Sequence, residues 1–280
     1  MSNTLVQDLI EAGIHFGQRS SGWSPKMQPF IYGKRNGIHI IDIKETIKGL
    51  LLAKKFIAKA VADGKDVCFV GTKRQAKSVL ETRVTDVKMH WVTERWLGGT
   101  LTNFRTIRQR LKRLIELEEI EKNDNFASYS KKMESQLRRE MKKIKRNLDG
   151  IRNMEKLPGA MVVIDVKHEI TALKEARKLG IPTICLIDTD GDPDLADIPI
   201  PGNDDSMRSI DVVIRELCLA IAEGRQQRQG TQPGVETAAG APAAEQPRRS
   251  RRAQFRADDS SVAEPAGDDR AKDPVAAPQN

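Results

Sequence analysis

Apolar residues recur along this chain in two rhythms, and the switches between them mark out its elements. Ile47, Leu50, Leu51, Ile57, Ala58 and Val61 keep helical spacing, which predicts a helix from Ile43 to Ala62 that stops at Gly64. Short continuous apolar runs at Val67–Val70, Ala160–Asp165 and Pro182–Asp188 predict strands buried on both faces. Strand-like pieces also occur at 30–32, 38–41 and Lys88–Val92. Further helices are expected over 5–12, capped by Asn3 or Thr4, from Gly71 and Thr72 to about Val84, over Glu169–Leu179, and over Met207–Gly224. Two stretches read as loops: His15–Phe30, rich in Gly, Pro and basic residues, and Thr189–Ser206, rich in Pro, Asp and Gly. Strands alternating with helices predict an α/β fold with a mostly parallel sheet flanked by helices on both faces.

Between Leu101 and Ile151 the rhythm changes to two long charged helices split by the polar break NDNFASYS. Phe104, Ile107, Leu111 and Leu114 form a narrow stripe on the first, and Leu137, Met141, Ile144, Leu148 and Ile151 form one on the second. So short a break predicts an antiparallel coiled-coil helical hairpin inserted between two halves of the sheet domain. The resulting organisation is 1–100 and 152–224 as the α/β domain, 101–151 as the hairpin, and 225–280 as a tail. The tail is dominated by Ala, Pro, Gly, Gln and Asp, too poor in apolar residues to build a core, and is expected to be disordered. Its RRSRR cluster at 248–252 reads as a solvated linker that could touch RNA.

Charge decides what the hairpin is for. Over residues 131–146, Lys131, Lys132, Arg138, Arg139, Lys142, Lys143, Lys145 and Arg146 face only Glu134 and Glu140, a net +6, within a chain of net charge +8. A solvated helix balances its signs through i,i+4 pairs, as Glu116–Glu121 do against Lys112 and Arg113. A one-sided excess calls for a polyanion, and nucleic-acid phosphate supplies one. No run of about 18 apolar residues exists to span a membrane. The N-terminus lacks a signal-type pattern, so a cytoplasmic location is expected. Cys68, Cys185 and Cys218 have neither disulfide nor zinc spacing and read as buried thiols.

An α/β sheet also admits an enzyme reading, with a nucleotide at the carboxyl ends of the strands. The strand ending in VGTKRQAK offers a helix N-terminus with Lys73 and Arg74, although neither GxGxxG nor a Walker-type loop occurs. Asp165, His168, Glu169, Asp188, Asp190, Asp192, Asp204 and Asp205 could bind a cation or act as acid and base; capping and turn chemistry accounts for them more simply. No catalytic residues, metal or cofactor are expected. Aromatic residues make up only 4% of the chain, too few for single-strand stacking platforms, and Trp23, Trp91 and Trp96 read as loop anchors. Trp23, in a loop with Arg19, Lys26 and Arg35, could also stack on a nucleotide.

The motifs LIEAGIHFGQRSSGWSPKMQPFIYGKRNGIHIIDI, WLGGTLTNF, DVKHEITALKEARKLGIPTICLIDTDGDPDLADIPIPGNDDS and SIDVVI resemble, in order over residues 3–224, the bacterial family of the second protein of the small ribosomal subunit. The resemblance implies a flavodoxin-like domain with a projecting coiled-coil hairpin, and a structural, non-enzymatic role in translation. It implies as partners small-subunit ribosomal RNA and neighbouring small-subunit proteins, including the large one that captures messenger RNA. His15-Phe16-Gly17, Trp23, Lys26, Tyr32 and Arg35 would then form a basic loop surface near RNA. Arg95-Trp96-Leu97-Gly98-Gly99-Thr100 and Asn103 would brace the hairpin root, and Asn203-Asp204-Asp205 would cap the last helix. The expected RNA contacts are Arg138, Arg139, Lys142, Lys143 and Arg146 on the hairpin, with Arg19, Trp23, Lys26, Arg35, Lys73, Arg74, Arg95 and Arg105 beside them.

Overall fold

A computed structural model of the chain describes residues 2–123 and 130–231. The centre of the polar break, the RRSRR cluster and all of the expected tail beyond Thr231 lie outside the described residues. Five strands, β4 (Val67–Val70), β5 (His90–Val92), β6 (Ala160–Ile164), β7 (Thr183–Ile187) and β8 (Ile198–Pro201), form an all-parallel sheet in the order β5-β4-β6-β7-β8. Three shorter strands, β1 (Phe16–Arg19), β2 (Ile31–Arg35) and β3 (Ile38–Ile41), form a separate antiparallel sheet in the order β1-β3-β2.

Alternation along each parallel strand sends side chains into two cores. Phe69, Val162, Ile184, Leu186 and Ile200 face α2 (Ile43–Ala62), α3 (Arg74–Asp86) and α7 (Met207–Thr231), with α1 (Ser2–Glu11) beside them. Val70, Met161, Val163, Cys185 and Ile187 face α6 (Ile170–Lys178) and the apolar stripes of α4 (Phe104–Lys122) and α5 (Lys131–Leu148). Strands buried on both sides have no solvent face to make polar, so β6 is apolar throughout and β7 departs from that only at Thr183. All three cysteines are buried and unpaired.

The structure differs from the sequence reading in places with identifiable causes. The 189–206 loop contains β8, whose Pro199 and Pro201 argue against a strand. Because β8 pairs, among the described residues, only with β7 at the edge, a missing N–H costs no ladder bond. The His15–Phe30 loop likewise holds β1 and a 3₁₀ turn over Pro25–Phe30. The first helix begins at Ser2, before the expected cap. The last one runs on past Gly224 to Thr231. Gly224 is therefore no terminator. A Cβ there would lie 2.5 Å from the Ala58 carbonyl oxygen, so the glycine lets α7 press against α2.

Candidate nucleic-acid interface

The candidate interface rests on α5, and its geometry starts from the buried side. Ile144 and Leu148 are buried with Ile107, Leu111, Leu114 and Leu117 of α4, while Leu137 and Met141 pack against the same cluster. Leu117 extends the α4 stripe one step beyond the residues picked from sequence. Arg110 reaches Glu140 at 3.8 Å and Arg138 reaches Glu121 at 3.4 Å across the two helices, and Arg152 holds Glu118. The Ser130 hydroxyl caps α5 by accepting from the Met133 amide at 3.4 Å.

The outer side of α5 is the opposite of this. At about 100° per residue, Lys132, Arg139, Lys142, Lys143 and Arg146 fan over roughly 100° of the helix, facing away from the apolar stripe. All five are exposed, and among the described residues Lys132, Arg139, Lys142 and Lys143 have no carboxylate partner. Arg138 sits at the edge of the fan, tied to Glu134 and Glu121. Arg146 fastens the base of α5 to the body through Glu94, at 2.6 Å. Lys77 of α3 reaches the same carboxylate, and the two hydrogen bonds, Lys77 first, hold Glu94 below its ordinary pKa. Gly150, just past the helix, lies so close to Trp91 that a Cβ would fall 2.1 Å from the Trp91 carbonyl oxygen.

The start of α4 is organised by a residue that sequence reading passed over. Glu175 of α6 is buried and accepts from the Trp96 indole (3.1 Å), the Gly99 amide (2.7 Å), the Leu101 amide (3.0 Å), and the Thr102 amide and hydroxyl (both 3.1 Å). Burial alone would raise this carboxyl, but the donors outweigh it and hold its pKa below the ordinary value. One carboxylate thus fixes the whole turn between β5 and α4. In the sequence it is an unremarked acid on a short helix, 79 positions from Trp96, with no local signal of its role.

The other expected contacts are scattered over the body. Arg19, Arg35, Arg74, Arg95 and Arg105 are exposed and have no carboxylate partner among the described residues. Lys26 is exposed but bridges Asp192 (2.8 Å) and Asp194 (2.7 Å). Trp23 is half-buried, its ring 5.0 Å from that of His39, a buried histidine neither of whose ring nitrogens has a hydrogen-bond partner among the described residues.

Lys73 points the other way, into the crevice at the carboxyl ends of the strands. Its ammonium lies 2.6 Å from Asp205, 2.7 Å from Asp204 and 3.3 Å from Asp165. These acids follow different strands, and Asp188 joins them after β7. Of the eight acidic-set residues, those four converge, whereas Asp190 pairs with Lys167, Asp192 with Lys26, and His168 is exposed. Burial first, then the Asp165 charge, pushes Asp204 up to about 8, and burial raises Asp188 to about 6. Asp188, Asp204 and Asp205 bring oxygens within 4.8 Å of one another, a spacing that could hold a cation, and Lys73 itself brings a positive charge to Asp204 and Asp205. The neighbouring Glu169 takes both the amide and the hydroxyl of Thr72, the amide at 3.0 Å. The approach to the α3 terminus, where a nucleotide phosphate would lie, is thus lined by acids, which repel phosphate.

The family described as ribosomal protein S2 matches residues 9–224. The small ribosomal subunit protein uS2 of Rhodopirellula baltica is 53% identical over 229 residues, covering 82% of this chain and 88% of that protein. The uS2 of Thermobifida fusca is 46% identical over 241 residues, covering 86% and 82%, and the uS2c of Mesostigma viride is 45% identical over 225 residues, covering 80% and 99%. On a match over residues 9–224 and this extent of similarity, the chain belongs to the ribosomal protein S2 family.

Proposed function

We propose that this chain serves the small ribosomal subunit by gripping ribosomal RNA with the outer face of α5. As a member of its family it is a structural constituent of that subunit, working in translation in the cytoplasm, and not an enzyme. The observation that carries the RNA reading is the fan of Lys132, Arg139, Lys142 and Lys143, exposed and unanswered by any carboxylate among the described residues. Such a face meets ribose-phosphate by charge and shape, with no reading of bases. In this reading α4 and α5 are an inserted antiparallel coiled-coil hairpin over 101–151, supported by their facing apolar stripes and by the Arg110–Glu140 and Arg138–Glu121 pairs. The sheet order β5-β4-β6-β7-β8 supports a flavodoxin-like body over 1–100 and 152–224. Arg19, Trp23, Lys26, Arg35, Arg74, Arg95 and Arg105 form secondary contacts around it, and Arg138 and Arg146 brace the fan. The large protein that captures messenger RNA is among the neighbours we assign to the body.

The test reverses three charges. With Arg139, Lys142 and Lys143 all changed to Glu, the purified chain should keep its circular-dichroism melt, because all three are exposed. It should lose co-sedimentation with small subunits on a sucrose gradient. Its filter-binding affinity for small-subunit ribosomal RNA should show a log K against log salt slope shallower by roughly 2 to 3, one phosphate per lost cation. Unchanged sedimentation together with an unchanged slope would remove α5 as the gripping element.

A further inference from the structure

A second cationic face lies on α2, and its composition differs from that of α5. At about 100° per residue, Lys44, Lys48, Leu51, Leu52, Lys55 and Lys59 fall within roughly 100° of the helix, and they span about 22 Å along its axis. The opposite side of α2, with Leu50, Ala53 and Ile57, is buried on the sheet. Lys48 is answered by Glu45 at 2.5 Å, whereas Lys44, Lys55 and Lys59 are exposed with no carboxylate partner among the described residues. Midway along that length, at the two edges of the lysine stripe, stand Leu51 and Leu52, 53% and 56% exposed.

Helix formation does not require that arrangement. The α5 fan contains no aliphatic residue and includes two arginines, whose planar forks suit phosphate. The α2 face has lysines alone, around two leucines whose exposure costs hydrophobic free energy until something covers them. Apolar side chains at mid-length with charge towards both ends match the make-up of a protein–protein contact, which joins dry contacts to a polar rim. We infer that α2 is a docking surface for a neighbouring protein of the small subunit, one that presents a short apolar ridge edged by Asp and Glu. The inference rests on the small-subunit role proposed above. The apolar ridge covers Leu51 and Leu52, and its carboxylates meet Lys44, Lys55 and Lys59. Charge steers that encounter, and the leucine contact holds it.

The experiment places a photoreactive benzophenone side chain at position 51 and, separately, at position 52 of the full chain, in assembled small subunits. After irradiation the attached peptide or nucleotide is identified by mass spectrometry. The expected product at both positions is one segment of one small-subunit protein, with apolar residues flanked by acids. Adding Lys55→Glu and Lys59→Glu should cut its yield at least tenfold while the chain still sediments with the subunit, since α5 is untouched. Attachment to ribosomal RNA, no attachment at either position, or a yield indifferent to the charge reversal would each overturn the inference. Loss of the unsubstituted chain from the small-subunit fraction would instead strike the underlying small-subunit role, so the two failures are distinguishable.

Discussion

Removing the Glu175 carboxylate is the sharpest perturbation that the structure offers. Five hydrogen bonds converge on it, and two of them, from the Trp96 indole and the Leu101 amide, are fully buried. Truncation to Ala leaves those two donors without partners, at about 1–3 kcal/mol each, while the more exposed Gly99 and Thr102 groups regain water. The expected loss is therefore about 4 kcal/mol, a large share of the total for a domain of this kind. Glu175→Gln separates hydrogen bonding from packing. It keeps the volume, but its amide nitrogen must face N–H donors whichever way it is turned, so about half the loss should remain. Urea unfolding of the purified chain, followed by circular dichroism, measures both variants. The charge adds a pH signature. The folded-state pKa of Glu175 lies below its unfolded value near 4.5, so its stabilisation is complete above that value and disappears as pH falls through the lower folded one. The wild-type advantage over Glu175→Gln should therefore shrink in acid. Losses under about 1 kcal/mol for both variants would show that the 95–103 turn is held by something else.

Three further outcomes follow from close contacts and from the crevice. Gly224→Ala should destabilise by about 1–3 kcal/mol in the same urea assay, because the added methyl meets the Ala58 backbone and α2 and α7 must part. Gly150→Ala should cost at least as much, and should also shift Trp91 fluorescence, since the new Cβ would press on both the carbonyl and the ring of Trp91. Asp204 has a raised folded pKa of about 8, so its contribution is fully present below its unfolded value of 3.8 and is lost as pH rises through 8. Asp204→Asn should accordingly lose less unfolding free energy than the wild type between about pH 5 and pH 8, and parallel pH profiles would contradict the crowding of acids around Lys73.

Burial patterns carried most of the fold in the sequence. The α2 bounds, the three central strands and the two stripes of α4 and α5 were legible because a single periodicity governs each. Edge position was not legible. Pro199 and Pro201 are tolerated in β8 because it lies at the sheet margin, a fact that only the assembled order reveals. Gly224 shows the same limit, since stopping a helix and admitting a neighbour leave the same letter behind. In the candidate interface, the α5 cations could be picked out because they crowd one short segment. The supports beneath them, Glu94 and Glu175, could not, because each draws its partners from distant parts of the chain.

Lys73 and the α5 lysines carry the same charge in opposite surroundings, and burial makes the difference. Enclosed at the strand ends, Lys73 is held by Asp165, Asp204 and Asp205, and has no donor to spare for a phosphate. Lys142 and Lys143 stand in water, unanswered among the described residues, and lose little by exchanging that water for ribose-phosphate. A parallel sheet of this order ordinarily opens its crevice to a nucleotide. Here Lys73 and the acids that it holds tie β4, β6 and the start of α7 together across the crevice, so its polar groups serve rigidity. The RNA grip proposed for α5 requires a stiff body, because side chains displaced by an ångström forfeit the phosphate geometry on which charge-assisted hydrogen bonds depend.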